Sequence, residues 1–112
     1  MITIVCPSRY KLEKRTLRKK IEALLVEFGL DMKTNVNVVF VGKRKMREIA
    51  NTYKKEDVAL PVLSFPYKED PDLLGELFIC YPQAILLAAE REKRVDVMIE
   101  KLIEHGLENL LQ

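Results

Sequence analysis

The sequence predicts an α/β (α+β) fold in one domain, residues 1–112, with about four helices packed on a small mixed sheet of about four strands. Three observations lead to this prediction. Short β-branched and aromatic runs alternate with helix-spaced apolar segments in the order β-α-β-α-β-β-α-α. The length of 112 residues suits a single core. The composition, 48% hydrophobic and 32% charged, is that of a globular protein.

The first two elements come from the start of the chain. Ile2–Cys6 (ITIVC) predicts a strand, because the run is short and β-branched and is followed by Pro7. Apolar residues at helical spacing then predict a helix over Lys11–Phe28. Ser8 is a candidate N-cap for this helix, and Gly29 supplies a stop.

The next pair is a strand followed by a helix. Val36–Val41 (VNVVFV) is the clearest strand in the sequence, and Gly42 ends it. A helix follows over about Lys43–Tyr53, although the cations at its N-terminus oppose the helix dipole. Its spacing predicts that four residues are buried, namely Met46, Ile49, Ala50 and Tyr53.

The second half predicts a strand pair and two helices. Val62–Phe65 and Leu73–Tyr81 are joined by a polar loop, which favours an antiparallel pair with a bend or bulge at Gly75. Pro82 fits the first turn of a helix, which is expected to continue over Ala84–Glu92. The last helix, Val95–Leu111, is expected to be central. Its apolar stripe consists of Val95, Ile99, Leu102, Ile103, Gly106 and Leu110.

Apolar runs and cysteine spacing exclude several classes of protein, whereas the charge distribution leaves two interpretations open. No apolar run approaches the ~20 residues of a membrane span, and the start of the chain lacks a signal-peptide layout, so we expect no membrane partner. Cys6 and Cys80 are far apart and without a CxxC motif, which argues against a zinc ribbon and indicates buried, reduced thiols and a cytoplasmic location. Residues 1–60 carry 14 Lys/Arg against 7 Asp/Glu. This half could attract a polyanion, or its helices could simply be lysine-rich.

The only histidine, His105, lies in the last predicted helix. Helical geometry places it in one row with Met98, Leu102 and Asn109. A second histidine four residues on would make a chelating pair, but that position is Asn109. Glu108 could add a carboxylate, yet one imidazole and one carboxylate hold a transition metal weakly. From the residues alone, a structural or surface role is favoured over metal ligation.

Three segments occur in order along the chain, ANTYKKEDVALPVLSFP, LLGELFIC and HGLENLL, and they are preceded by VNVVFVG and KMREIANTY. Taken together, they resemble the YbeY family of bacterial rRNA maturation factors, described as metal-dependent endoribonucleases. The likeness extends from about Val36 to Leu111. The combination of VLSFP, LLGE and HG at these separations is fairly specific to the family.

The family's metal motif is H-G-x-L-H-L-x-G-x-D-H, with three histidine ligands. His105 and Gly106 match its start and Leu110 matches the leucine after the second histidine, but the second histidine position is Asn109. The third position falls beyond Gln112, so we expect a divergent, C-terminally shortened relative with a degenerate metal site.

Three other positions depart from the family pattern. Lys54 replaces an arginine, which keeps the charge but loses the bidentate fork on phosphate. Leu60 and Pro61 replace the T-D that precedes VLSFP. Four positions are kept, namely Ser64, Phe65, Gly75 and Glu76.

The resemblance implies a factor in rRNA maturation and ribosome biogenesis, acting as a single-strand-specific endoribonuclease. Its partners would be rRNA, the ribosomal small subunit and ribosomal proteins. The family uses zinc or another divalent metal. We expect no cofactor in this chain, and any metal only at His105, with Glu108 as the one further ligand. If the chain cuts RNA, His105 would handle a proton or a weakly held metal, Lys54 would neutralise phosphate and Ser64 would orient.

Nine basic residues on the first two predicted helices and just after the second are the candidate RNA contacts, because Lys and Arg neutralise phosphate. They are Arg15, Arg18, Lys19, Lys43, Arg44, Lys45, Arg47, Lys54 and Lys55. Tyr53 and Phe65 could stack on bases, but core packing is favoured for both. Ser64 is favoured as a structural hydrogen-bonding residue and Glu76 as a surface carboxylate.

Two alternatives to a working ribonuclease remain. One is a noncatalytic RNA- or ribosome-binding module on the same fold. The other is a protein-interaction domain whose basic face meets an acidic partner. The sequence leaves the oligomeric state open.

Overall fold

The computed structural model describes residues 1–31, 33–70 and 72–112. Its sheet is built from strands β1 (Ile2–Val5), β2 (Asn35–Val41), β3 (Val62–Pro66) and β4 (Leu73–Cys80). They lie in the order β1-β2-β4-β3. β2 is parallel to both β1 and β4, whereas β3 is antiparallel to β4. The mixed sheet and the antiparallel pair are therefore as predicted.

Helices cover both faces of this sheet. They are α1 (Lys14–Glu27), α2 (Lys43–Lys54), α3 (Tyr81–Glu90) and α4 (Val95–Leu110). Because side chains alternate along a strand, β2 sends Val36, Val38 and Phe40 into the core with α1, α3 and α4. It sends Val39 and Val41 into a smaller cluster with α2. Among the described residues, four strands and four helices thus form the predicted α/β architecture; the extent of the domain, 1–112, stays a prediction.

Helix α4 is central, as its apolar stripe predicts. It packs against α1, α3, β3 and β4. Seven of its residues are buried, namely Met98, Ile99, Leu102, Ile103, Gly106, Leu107 and Leu110. Full burial of each large apolar side chain contributes ~1.5–3 kcal/mol, so this helix ties the layers together.

Helix α1 begins later than the spacing predicts. Its first residue is Lys14 instead of Lys11, and its N-cap is Glu13, so the proposed Ser8 cap is wrong. The apolar spacing includes Leu12, which packs on the core from the preceding loop. An apolar contact of this kind does not require helical backbone.

Gly29 ends α1 as predicted. Its φ is +81°, a left-handed conformation that favours glycine. The N–H groups of Gly29 and Leu30 donate to the carbonyls of Val26 and Leu25, each at 2.9 Å. These two bonds form a Schellman motif, which satisfies carbonyls at the helix end.

The bounds of two elements and one burial prediction are corrected, and the predicted bulge is confirmed. β4 ends at Cys80, and Tyr81 is the first residue of α3, which stops at Glu90. Tyr53 lies on α2 but is 67% exposed, so the prediction that it is buried is wrong. A bulge is confirmed beside Gly75, because Asn35 pairs with Leu73 while Val36 pairs with Gly75.

Both cysteines are free thiols. Cys80 is fully buried, as predicted, and Cys6 is half-buried. Burial raises the pKa of both thiols. Across the described residues, no helix combines the length and the apolar character that a membrane crossing requires.

Candidate functional site

Strand β3 is an edge of the sheet, and two candidate surfaces meet along it. Ser64 faces α4, whereas Leu63 and Phe65 belong to the cluster on the α2 face. Pro66 closes the strand and has no N–H to offer to a further strand, as is typical of edge positions. β3 therefore separates the surface that carries His105 from the surface next to α2.

Ser64 fixes the approach of α4 to the sheet. Its Oγ donates to the carbonyl of Gly106 at 3.0 Å. A Cβ on Gly106 would lie 2.9 Å from Leu77 Cδ2 and 3.3 Å from Ser64 Oγ. The glycine of the HG pair therefore permits close packing of the helix on β3 and β4, and the hydroxyl of Ser64 is engaged in that packing.

His105 precedes Gly106 on α4 and is exposed. The nearby donors on its helix are the carboxylate of Glu108 and the amide of Asn109, both also exposed. A catalytic metal centre takes about three protein ligands and an open position. Within residues 1–31, 33–70 and 72–112, no three His, Cys, Asp or Glu side chains are grouped to hold a metal ion. The donor set around His105 does not fit the metal that the family implies.

Lys54 is the last residue of α2 and is exposed. Because α2 and α4 pack on opposite faces of the sheet, Lys54 and His105 lie on elements that the sheet separates. Among the residues described, no ion pair or hydrogen bond joins either side chain to Ser64. The catalytic grouping of these three residues stays a prediction.

The nine candidate RNA-binding residues are divided between two faces. Arg15, Arg18 and Lys19 are on α1, on the same side as α4, and Arg18 Nε donates to the Ile2 carbonyl at 3.4 Å. The other six are on or just after α2 and are exposed. Their ion pairs, Arg44–Glu48 and Arg47–Asp57, are each 3.9 Å long at the surface and contribute little stability. Six of the nine candidates thus lie on or next to α2 and three on α1, which also carries Lys14 and Lys20.

A cleft of about 580 Å³ opens between α2 and the β3–β4 hairpin, and we refer to it as the α2 cleft. Tyr53 contacts Phe65 edge to face with ring centroids 5.1 Å apart, and Phe65 contacts Phe78 in the same way at 5.6 Å. The full lining is Lys45, Glu48, Ile49, Thr52, Tyr53, Phe65, Pro66, Tyr67, Glu76 and Phe78.

Glu76 is the polar centre of the α2 cleft. It is half-buried and accepts hydrogen bonds from Tyr67 Oη at 3.0 Å and from Asn37 Nδ2 at 3.4 Å. Burial, and then the hydrogen bond to Glu76, raises the pKa of the Tyr67 phenol. The sequence interpretation missed this group. The alternation of Phe65 on β3 with Glu76 and Phe78 on β4 could have placed their side chains on one sheet face.

A family model described as endoribonuclease YbeY matches residues 6–111. Three relatives named endoribonuclease YbeY are similar. That of an Anaeromyxobacter species is 31% identical, covering 87% of this chain and 52% of that protein. That of Thermus thermophilus is 34% identical, with 85% and 71% covered. That of Aquifex aeolicus is also 34% identical, with 90% and 72% covered.

The fold has a counterpart among solved structures. A solution structure from Thermotoga maritima superposes with a TM-score of 0.72 at 23% identity, covering all of this chain and 73% of the other. The chain spans about half the length of the Anaeromyxobacter relative. The family match extends over nearly all of the residues described above, and it agrees with the HG pair on α4 and the VLSFP strand. The chain therefore belongs to the YbeY family.

Proposed function

We propose that this chain acts on ribosomal RNA, as an RNA-binding member of the YbeY endoribonuclease family in rRNA maturation and ribosome biogenesis. The observation that carries the proposal is the exposed positive charge of α2, on a chain whose relatives are named endoribonucleases. Phosphate neutralisation by Lys and Arg supplies most nonspecific affinity for nucleic acid. Small-subunit RNA in the cytoplasm is the expected target, with ribosomal proteins as secondary partners.

We further propose that the metal site is degenerate, so that the chain retains RNA binding but has lost metal-dependent cleavage. The donors near His105 are one imidazole and the carboxylate of Glu108, with Asn109 in the position one turn on. The family's metal would supply an activated water. The residues near His105 would hold that metal weakly. Cleavage by His105, with Lys54 neutralising phosphate and Ser64 orienting, is the second candidate. It rests on the match of the HG pair and VLSFP to the family.

The RNA-binding proposal is tested by the salt dependence of affinity for a single-stranded rRNA fragment. A triple variant of α2 (Lys43→Gln, Lys45→Gln and Arg47→Gln) is compared with a triple variant of α1 that removes the same charge (Arg15→Gln, Lys19→Gln and Lys20→Gln). Removing three phosphate contacts makes the slope of log affinity against log salt shallower by about 2. We expect this change in the α2 variant only.

The outcomes separate the remaining classes. An equal reduction of the salt slope in both variants would mean that RNA contacts both faces, including the α1 residues. Affinity that depends on neither variant would contradict the proposal and favour a protein-interaction domain. For the second candidate, zinc content and cleavage are measured on wild-type protein and on His105→Ala. Stoichiometric zinc with cleavage, both lost in His105→Ala, would show a working ribonuclease and overturn the degenerate site.

A further inference from the structure

We propose that the α2 cleft binds an unpaired guanine base of single-stranded RNA, with the Glu76 carboxylate accepting from its Watson–Crick edge. This inference rests on the proposed function and gives the RNA surface a base preference. The α2 cleft contains neither His105 nor Ser64. It is therefore separate from the surface on which the family's metal motif lies.

The aromatic residues provide stacking surface. Tyr53 is 67% exposed and Tyr67 is 41% exposed, although both line the cleft. Phe65 contacts the Tyr53 ring at 5.1 Å and so restrains its position. An exposed aromatic ring that is already held in place is suited to stack on an unpaired base, which is a common mode of single-strand recognition.

The carboxylate of Glu76 determines which chemical group can bind in the α2 cleft. Its two oxygens offer about four acceptor positions, of which Tyr67 and Asn37 use two. The remaining acceptors require donors. Guanine presents two adjacent donors, N1–H and the N2 amino group, whereas uracil presents one N–H between two carbonyls. A phosphate would be repelled by the carboxylate, so the base enters and the backbone stays outside.

The charges around the cleft decide between RNA and a basic peptide. An arginine side chain would also satisfy Glu76. However, Lys45 lines the cleft, and Lys43 is exposed on the same helix, so both would repel a basic segment and attract the phosphates on either side of a bound base. The second carboxylate of the lining, Glu48, is paired with Arg44 at 3.9 Å. The surroundings therefore favour a polyanion.

The test measures binding of three RNA pentanucleotides, UUGUU, UUAUU and UUUUU, to the full chain at low salt. We expect UUGUU to bind about tenfold more tightly than the other two, the discrimination typical of one bidentate contact. Glu76→Gln should abolish this preference. Glu48→Gln, which removes the other carboxylate of the same cleft, should keep it.

A second pair of variants tests stacking. Tyr53→Ala should weaken binding of all three oligonucleotides about tenfold, and Tyr53→Phe should restore it. Thermal unfolding establishes that each variant is folded. If Glu76→Gln is not folded, the wild-type comparison still decides, because guanosine 5′-monophosphate should shift the NMR resonances of Tyr53, Tyr67 and Glu76 more than uridine 5′-monophosphate does.

The results distinguish this inference from the proposed function. Equal affinity for the three oligonucleotides, with salt-dependent binding retained, would overturn the guanine site and leave RNA binding intact. Absence of binding to every oligonucleotide would overturn both. If N-acetyl-arginine amide shifts the cleft resonances and no oligonucleotide does, the α2 cleft is a peptide site and the inference is wrong.

Discussion

Replacing Gly75 by alanine tests the packing of β4 between its neighbours. A Cβ at this position would lie 2.6 Å from the carbonyl oxygen of Phe65 and 2.6 Å from Leu110 Cδ2. The first contact is with the backbone of the adjacent strand, which cannot retreat without disturbing the β3–β4 ladder. The second is with a buried side chain of α4.

The expected loss follows from two opposing terms. Overpacking of this kind costs ~1–3 kcal/mol, and the backbone contact places Gly75→Ala at the upper end. Replacing a strand glycine by alanine recovers ~0.5–1 kcal/mol of conformational entropy. The net effect is a destabilisation of about 2 kcal/mol, which for a domain of this size lowers the unfolding midpoint by about 8 °C.

Gly106→Ala is the matched comparison. Its Cβ would meet the two methyl groups of Leu77 at 2.9 and 3.2 Å, with no close backbone atom outside its own helix. Alanine also gains ~1 kcal/mol of helix propensity over glycine. The net loss should therefore be smaller, about 1 kcal/mol. Circular dichroism with urea and thermal unfolding measures both variants, and an unchanged urea slope shows that the transitions are comparable.

The reasoning is refuted by either of two results. An unfolding midpoint of Gly75→Ala within about 2 °C of the wild type would show that β3 moves away at little cost. A greater loss in Gly106→Ala than in Gly75→Ala would show that backbone contacts do not dominate. Gly29→Ala is a third glycine variant for comparison. Its Cβ would meet nothing within 4 Å, so only the φ of +81° opposes the substitution.

Three further predictions concern charge, thiols and the Ser64 hydroxyl. Lys43→Glu should raise the free energy of unfolding by about 0.5–1 kcal/mol, because Lys43 opposes the dipole of α2, while weakening RNA affinity. Cys80 should react with iodoacetamide more slowly than Cys6 at pH 8, since both thiols have raised pKa values but Cys80 is fully buried. Ser64→Ala should cost about 1 kcal/mol in urea unfolding, because the Gly106 carbonyl loses its donor, with RNA affinity unchanged.

Each of these has a contrary outcome. A Lys43→Glu protein that is less stable than wild type would contradict the dipole argument. Faster alkylation of Cys80 would mean that the core opens there.

Because the folded protein holds both thiol protons more tightly than the unfolded chain, these groups stabilise the fold at low pH. Their contribution should be lost as the pH rises above 9.0, and no loss would contradict burial as the cause. Weaker RNA binding by Ser64→Ala would assign that hydroxyl a role beyond packing.

Local patterns predicted the elements well where one face of an element is buried along its whole length. The stripe of α4 is of this kind, whereas the end of α1 was predicted from the left-handed conformation that Gly29 adopts. Tyr53 continues the helical spacing of Met46, Ile49 and Ala50, yet it is exposed. Its ring contacts Phe65 on the edge strand. The periodicity of a helix does not reveal where the sheet beneath it ends.

The composition of the α2 cleft was beyond local patterns for a related reason. Asn37 and Glu76 are paired across β2 and β4, although 39 positions separate them in the sequence. That pairing depends on the strand order, in which β4 inserts between β2 and β3. The sequence predicted a structural or surface role for His105, which is exposed, whereas the degenerate metal site stays a prediction.

The position of β3 at the margin of the sheet has a consequence for the shape of the nucleic acid. Under the proposed function, one chain of nucleotides that contacts both α2 and the His105 surface must turn sharply around this strand. A double helix resists such a turn, because the persistence length of duplex DNA is ~150 base pairs and a sharp bend within a short site costs several kcal/mol. The shape of the protein would then select flexible, single-stranded segments over duplexes. This selection would not depend on contacts between side chains and bases.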